Sequence, residues 1–127
     1  MVSAAATIGD EQRPARRILL VDDEPELQAL LTEILREEGY LVEVAQTAAE
    51  ARRRLAAESY DLVIADWRLP DGDGVTLADW AAHLGAKTCV MSGQLSRMPG
   101  GRAQGHETLM KPFRVADFIA VVRSAIG

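Results

Sequence analysis

The stretch that most constrains this chain is residues 62–74, Leu-Val-Ile-Ala-Asp-Trp-Arg-Leu-Pro-Asp-Gly-Asp-Gly. An apolar, β-rich run of strand length ends on one carboxylate, Asp66. Pro70 and a glycine-rich turn then stop the strand. A run of this kind suits a strand buried on both faces of a parallel sheet. A carboxylate at the C-terminal tip of such a strand sits where open α/β sheets place their ligands.

The rest of the chain supplies the neighbours such a strand needs. Residues 17–21, Arg-Ile-Leu-Leu-Val, read as a first strand that ends on Asp22, Asp23 and Glu24. Pro25 then fits the first turn of a helix, where its missing N–H costs nothing. Leu27, Leu30, Leu31, Ile34 and Leu35 recur at helical spacing on one apolar face, and Gly39 fits the stop after it. Residues 41–44 form a short second strand. Thr47 and Glu50 make a capping box for a helix with Ala48, Ala51 and Leu55 inward and Arg52, Arg53 and Arg54 mostly on a solvated face. After the third strand, residues 75–84 read as a helix with Leu77, Ala78, Ala81 and Leu84 inside and Trp80 on the same stripe. Residues 87–92 form a fourth strand in which Cys89 is a small buried hydrophobe. Residues 108–110 form a fifth, and Val115, Phe118, Ile119 and Val122 are the inner face of a closing helix.

Strand and helix alternate nearly five times, which calls for an α/β fold with a parallel sheet covered on both faces. A length of 127 residues suits one domain, expected over residues 16–127 behind a loose tail at residues 1–15. Residues 94–106 carry Pro99, Gly100, Gly101 and Gly105, and no full amphipathic helix can be written there. A net charge of −5 argues against nucleic acid as a direct partner. The single cysteine permits no internal disulfide, no apolar run approaches membrane-spanning length, and the N-terminus lacks the order of a signal peptide. A cytoplasmic protein with no membrane contact is the expectation.

A parallel sheet delivers the last residue of every strand to one edge. Those residues are Asp22 and Asp23, Asp66, Ser92 and Lys111. Three carboxylates at one edge repel one another and need a compensating cation. Hard oxygen ligands select Mg²⁺ or Mn²⁺. A carboxylate nucleophile, a metal, a lysine and a hydroxyl together suit phosphoryl transfer to Asp66. Asp71 and Asp73 read as turn residues, and the isolated His83 and His106 as surface histidines.

The chain resembles a response-regulator receiver domain of two-component signalling. The resemblance rests on Val21-Asp22-Asp23 after the first strand and Asp66-Trp-Arg-Leu-Pro70 with Gly74 after the third. Met91-Ser92-Gly93 after the fourth and Lys111-Pro112-Phe113 after the fifth complete it. It implies a doubly wound, flavodoxin-like sheet of order 2-1-3-4-5. It implies that Asp66 accepts a phosphoryl group from a histidine kinase or a histidine phosphotransfer protein, and that the chain is not a turnover enzyme. Asp23, Asp66 and the backbone carbonyl of Arg68 would ligate Mg²⁺, with Asp22 acting mainly through a metal-bound water. Ser92 and the Gly93 N–H would contact the phosphoryl oxygens, Lys111 would pair with the acyl phosphate, and Pro112 would follow a cis peptide bond. An unspecified downstream protein and a monomer or weak homodimer are the corresponding expectations.

Two places depart from the family pattern. Many receivers carry Tyr or Phe where this chain has Thr108, and threonine cannot repeat the rotamer change of that ring. The family's fourth helix is expected to be shortened or irregular, and phosphorylation is expected to order or shift residues 93–105. Arg68 and Gln94 stand two residues beyond Asp66 and Ser92, positions that in the family flank the path of a dephosphorylating water. The other readings are a receiver-fold adaptor that binds partners without phosphorylation, and a receiver module excised from a hybrid histidine kinase. An aspartyl phosphatase is disfavoured, because Asp22-Asp23-Glu24-Pro25 lacks that class's spacing: two residues after Asp22 stands a glutamate and not a second aspartate.

Overall fold

The five apolar runs pair in parallel. They are β1 (Arg17–Val21), β2 (Leu41–Ala45), β3 (Leu62–Asp66), β4 (Lys87–Ser92) and β5 (Glu107–Met110), in the sheet order β2-β1-β3-β4-β5. The computed structural model describes residues 15–94, 97, 101, 103 and 105–127. Among the described residues four α-helices flank the sheet: α1 (Pro25–Glu37), α2 (Ala48–Ala57), α3 (Gly74–His83) and α4 (Val115–Ile126). The order and connectivity are those expected from the sequence.

Alternate strand residues enter opposite cores. Ile18, Leu20, Leu62, Ile64 and Met91 pack against Leu31 and Leu35 of α1 and Phe118 and Val122 of α4. Leu19, Val21, Val63 and Ala65 pack against Ala48, Ala51 and Leu55 of α2 and Leu77 and Ala81 of α3. Every residue from Ile18 to Val21 and from Leu62 to Ala65 is fully buried, so β1 and β3 form the centre of the fold. Each large side chain buried there stabilises by about 1.5–3 kcal/mol.

The helices differ in detail from the sequence pattern. Leu30 is half exposed, whereas Gln28 and Thr32 are buried. Helix α1 is turned so that the Gln28 side-chain amide donates to the carbonyls of Asp22 (3.1 Å) and Ala45 (3.0 Å), tying the ends of β1 and β2 together. Leu84 is the C-cap of α3 and exposed, because Gly85, at φ 100°, turns the chain away. On α4, Val115 is exposed and Ile126 is buried, so the apolar stripe sits nearer the C-terminal end than its spacing suggested. Arg54 faces partly inward and pairs with Glu43 and Glu50.

The Thr47 box is half made. Thr47 Oγ1 accepts the Glu50 N–H at 3.1 Å, but the Glu50 carboxylate takes the N–H of Gln46, one residue before the cap. The expected tail lies outside the described residues except for residue 15. The shortened fourth helix and its order–disorder switch likewise fall on a segment whose residues 95, 96, 98–100, 102 and 104 lie outside them.

Candidate functional site

The sheet order reverses at β1, whose neighbours are β2 and β3. A crevice therefore opens outside the carboxyl ends of β1 and β3. Val21 pairs with Ala65, so the residues that follow them, Asp22 and Asp66, stand level at that crevice. Asp22, Asp23 and Asp66 each offer a carboxylate oxygen within 4.8 Å of the others. Asp22 is fully buried, Asp66 mostly so, and Asp23 exposed.

Asp22 is held on every side. Its Oδ1 accepts the Glu24 N–H at 2.8 Å, its own N–H donates to the Ala45 carbonyl at 3.1 Å, and Gln28 donates to its carbonyl. Lys111 arrives from the end of β5, where its N–H donates to the Ser92 carbonyl at 2.9 Å and its peptide bond to Pro112 is cis, as the resemblance implied. The Lys111 ammonium lies 3.1 Å from Asp22 Oδ2, 3.1 Å from Glu24 Oε1 and 3.5 Å from Asp66 Oδ2.

The electrostatics follow from this packing. Burial pushes the Asp66 carboxyl up to about 6; Lys111 works against that rise, while Asp22 and Asp23 add to it. Burial also works against the charge on Lys111, but Glu24, Asp66 and Asp22 outweigh it and hold its pKa above the ordinary lysine value. One lysine thus leaves Asp66 short of compensating charge. Three convergent carboxylates with that deficit are a donor set that fits a hard divalent cation such as Mg²⁺.

The turn beyond Asp66 needs Gly74. A Cβ there would lie 1.9 Å from the Asp66 carbonyl oxygen, and the Gly74 N–H donates to the Trp67 carbonyl at 2.6 Å. Arg68 pairs with Asp73 in a two-residue antiparallel ribbon, Arg68–Leu69 against Gly72–Asp73. The Arg68 guanidinium stacks 4.7 Å from the centre of the Trp67 ring. Its carbonyl belongs to the turn immediately beyond β3. Ser92 is buried at the end of β4, and its Oγ accepts the Gln94 N–H at 2.8 Å, which leaves its hydroxyl hydrogen to donate elsewhere. A Cβ on Gly93 would meet Lys111 only at 3.9 Å, an ordinary contact, so space does not require glycine there.

Four contributors escaped the sequence reading. Glu24 shares Lys111, and Gln28 braces Asp22. Asp71 does more than turn the chain, since its oxygens accept the N–H groups of Ala49 (2.9 Å) and Ala48 (2.7 Å) at the start of α2. Those two bonds hold its pKa below the ordinary carboxylate value and fasten the loop after β3 to that helix. His106 is not a surface residue. Its side chain is 3% exposed, with Nδ1 2.5 Å from Thr88 Oγ1 and Nε2 2.6 Å from Asp79 Oδ1. It joins β4 to α3 just before β5 begins. An isolated histidine carries no sequence signal for such a bridge.

With this geometry in hand, the known proteins agree on its family. The model of the response regulator receiver domain matches residues 18–123, and the chain belongs to that family of two-component systems. It is 33% identical over 115 residues to the transcriptional regulatory protein PrrA of Mycobacterium tuberculosis and 30% identical over 118 residues to the transcriptional regulatory protein GltR of Pseudomonas aeruginosa. Each alignment covers 87% of this chain and 49% of the relative, so the chain spans about half the length of these curated relatives. Among solved structures, the response regulator protein TrrA of Thermotoga maritima, in complex with Mg²⁺-BeF, is similar with a TM-score of 0.80 and 30% identity. That match covers 87% of this chain and 99% of the other. No helix among the described residues is long and apolar enough to cross a membrane.

Proposed function

We propose that this receiver takes a phosphoryl group from a phosphohistidine donor onto Asp66 and acts as a stoichiometric acceptor rather than a turnover catalyst. The observation that carries the reading is the meeting of Asp66 with Asp22, Asp23 and Lys111 at the switch point of the sheet. An Asp66 carboxylate oxygen attacks the phosphorus, the P–N bond of the donor breaks, and its electron pair returns to the imidazole nitrogen, which takes up a proton. The product is an acyl phosphate on Asp66 and a neutral histidine.

The residues divide this work. Lys111 sits 3.5 Å from the nucleophile and offsets the charge that the incoming group brings. Ser92 offers its hydroxyl hydrogen, and Gly93 its N–H, to the phosphoryl oxygens. Asp23, Asp66 and the Arg68 carbonyl would hold Mg²⁺, with Asp22 behind them. Bound there, the ion supplies positive charge to the carboxylates and to the transferring oxygens.

The donor must bring an imidazole over Asp66, and an apolar face lies next to that opening. Leu27, Leu30, Ile34, Phe113 and Val115 line a groove that Glu24 and Lys111 border on the side of the site. Leu30 and Val115 are 51% and 49% exposed, large apolar surfaces that an apolar partner face would cover. A helix of a histidine kinase or histidine phosphotransfer protein suits this groove.

Incubation with Mg²⁺ and acetyl phosphate tests the chemistry. The expected result is a base-labile gain of one phosphoryl mass that is absent in Asp66→Asn. No gain in the unaltered protein, or an equal gain in the variant, contradicts it.

A further inference from the structure

The Lys111 ammonium is shared among three carboxylates, and the two nearer ones are not the acceptor. Glu24 and Asp22 are both at 3.1 Å, against 3.5 Å for Asp66. The two nearer partners differ in how firmly they are fixed. Asp22 is fully buried, its carboxylate accepts the Glu24 N–H, and Gln28 holds its backbone carbonyl. The Glu24 side chain is 61% exposed and makes no capping bond to its own helix, although Glu24 occupies the N-cap position of α1. Its described role is to reach across to Lys111, 87 residues away in sequence.

We propose that Glu24 is a positioning residue that tethers the Lys111 ammonium in the resting site and releases it when Asp66 carries a phosphoryl group. The inference rests on the acceptor reading of Asp66 given above. An ammonium has three N–H donors, and in the resting site three carboxylates surround it. Asp22 and Glu24 each accept a hydrogen bond from it at 3.1 Å, while Asp66 stands farther off at 3.5 Å, so an ammonium drawn toward a phosphoryl group on Asp66 stretches the two nearer contacts and the looser one gives way. Loss of the Asp22 contact would leave a buried charge without its partner, which is costly. Release of Glu24 returns an exposed carboxylate to water, which costs little. The tether therefore opposes loading of the site by roughly the strength of one exposed ion pair.

Beryllofluoride in the presence of saturating Mg²⁺ provides the test, with binding followed by the fluorescence of Trp67, the neighbour of Asp66, and checked by calorimetry. Glu24→Gln removes the charge, and Glu24→Asp keeps it but shortens the reach by one methylene. If Glu24 acts as a tether, both variants bind beryllofluoride about two- to fivefold more tightly, the span of an exposed ion pair. Glu24→Asp should also keep the Mg²⁺ affinity of the unaltered protein, a combination that a general structural effect would not produce. If Glu24→Asp binds as the unaltered protein does while Glu24→Gln alone tightens, charge and not tethering is responsible, and the proposal falls. Weaker binding in both variants would overturn it as well. Failure of the unaltered protein to bind beryllofluoride at all would instead overturn the acceptor reading beneath it.

Discussion

A Cβ placed on Gly74 would lie 1.9 Å from the carbonyl oxygen of Asp66. The first residue of α3 is thus pressed against the backbone of Asp66, and no flexible side chain is available to yield. Gly74→Ala must push the turn off Asp66 or separate α3 from β3. We expect a loss of about 3 kcal/mol or more, at the upper end of overpacking effects. A urea titration with a lowered midpoint and an unchanged slope would show it; an unaltered midpoint would contradict it.

Asp66 carries a stability cost that depends on pH. Its folded-state pKa, about 6, lies above the ordinary 3.8. Between those values the native protein holds more protons than the unfolded chain, so this group's contribution falls as pH rises from about 4 to about 6. Asp66→Asn removes the charge. In the absence of metal the variant should match the unaltered protein at about pH 3 and exceed it by roughly 3 kcal/mol above pH 7. Saturating Mg²⁺ should narrow that gap by stabilising only the protein that keeps the carboxylate. A gap that does not vary with pH would show that Asp66 is not held in a charge-poor setting.

The half-exposed Leu30 separates docking from chemistry. It lines the groove beside the site but makes none of the described contacts to the acidic cluster. Leu30→Glu should slow phosphoryl transfer from a cognate histidine donor at least tenfold, since a carboxylate buried against an apolar partner costs more than about 1.4 kcal/mol. Phosphorylation by acetyl phosphate should be unchanged. Equal rates with the protein donor would place the docking face elsewhere.

Cys89 reports on the sheet. It is buried in β4, and burial pushes its thiol up to about 12. Native protein at pH 8 should resist a thiol reagent, and reaction should appear only as the sheet opens in denaturant. Prompt stoichiometric labelling under native conditions would contradict the packing of β4.

The central strands were legible because β1 and β3 are buried on both faces and read as unbroken apolar runs, whereas the strand order came from the resemblance. Asp22, Asp66, Ser92 and Lys111 were legible for a related reason: each follows or ends such a run, and a parallel sheet sends those ends to one edge. The supporting contacts were not. Gln28 lies one position off the leucine stripe, and only the rotation of α1 turns it toward Asp22. Asp71 looks like a turn residue because its bonding partners, Ala48 and Ala49, are more than twenty residues away. His106 meets Thr88 and Asp79 only once β4, β5 and α3 are assembled. Periodicity records which face is apolar; it carries no trace of a polar bond between distant segments.

Asp66 is the proposed site of phosphoryl transfer. Borohydride reduces an aspartyl phosphate to homoserine and leaves a free carboxylate untouched. After treatment with Mg²⁺ and a phosphohistidine donor, reduction and peptide mass analysis should find homoserine at position 66 and at no other acid. Homoserine at position 22 or 23 instead, or aspartate retained at all three positions, would contradict the account.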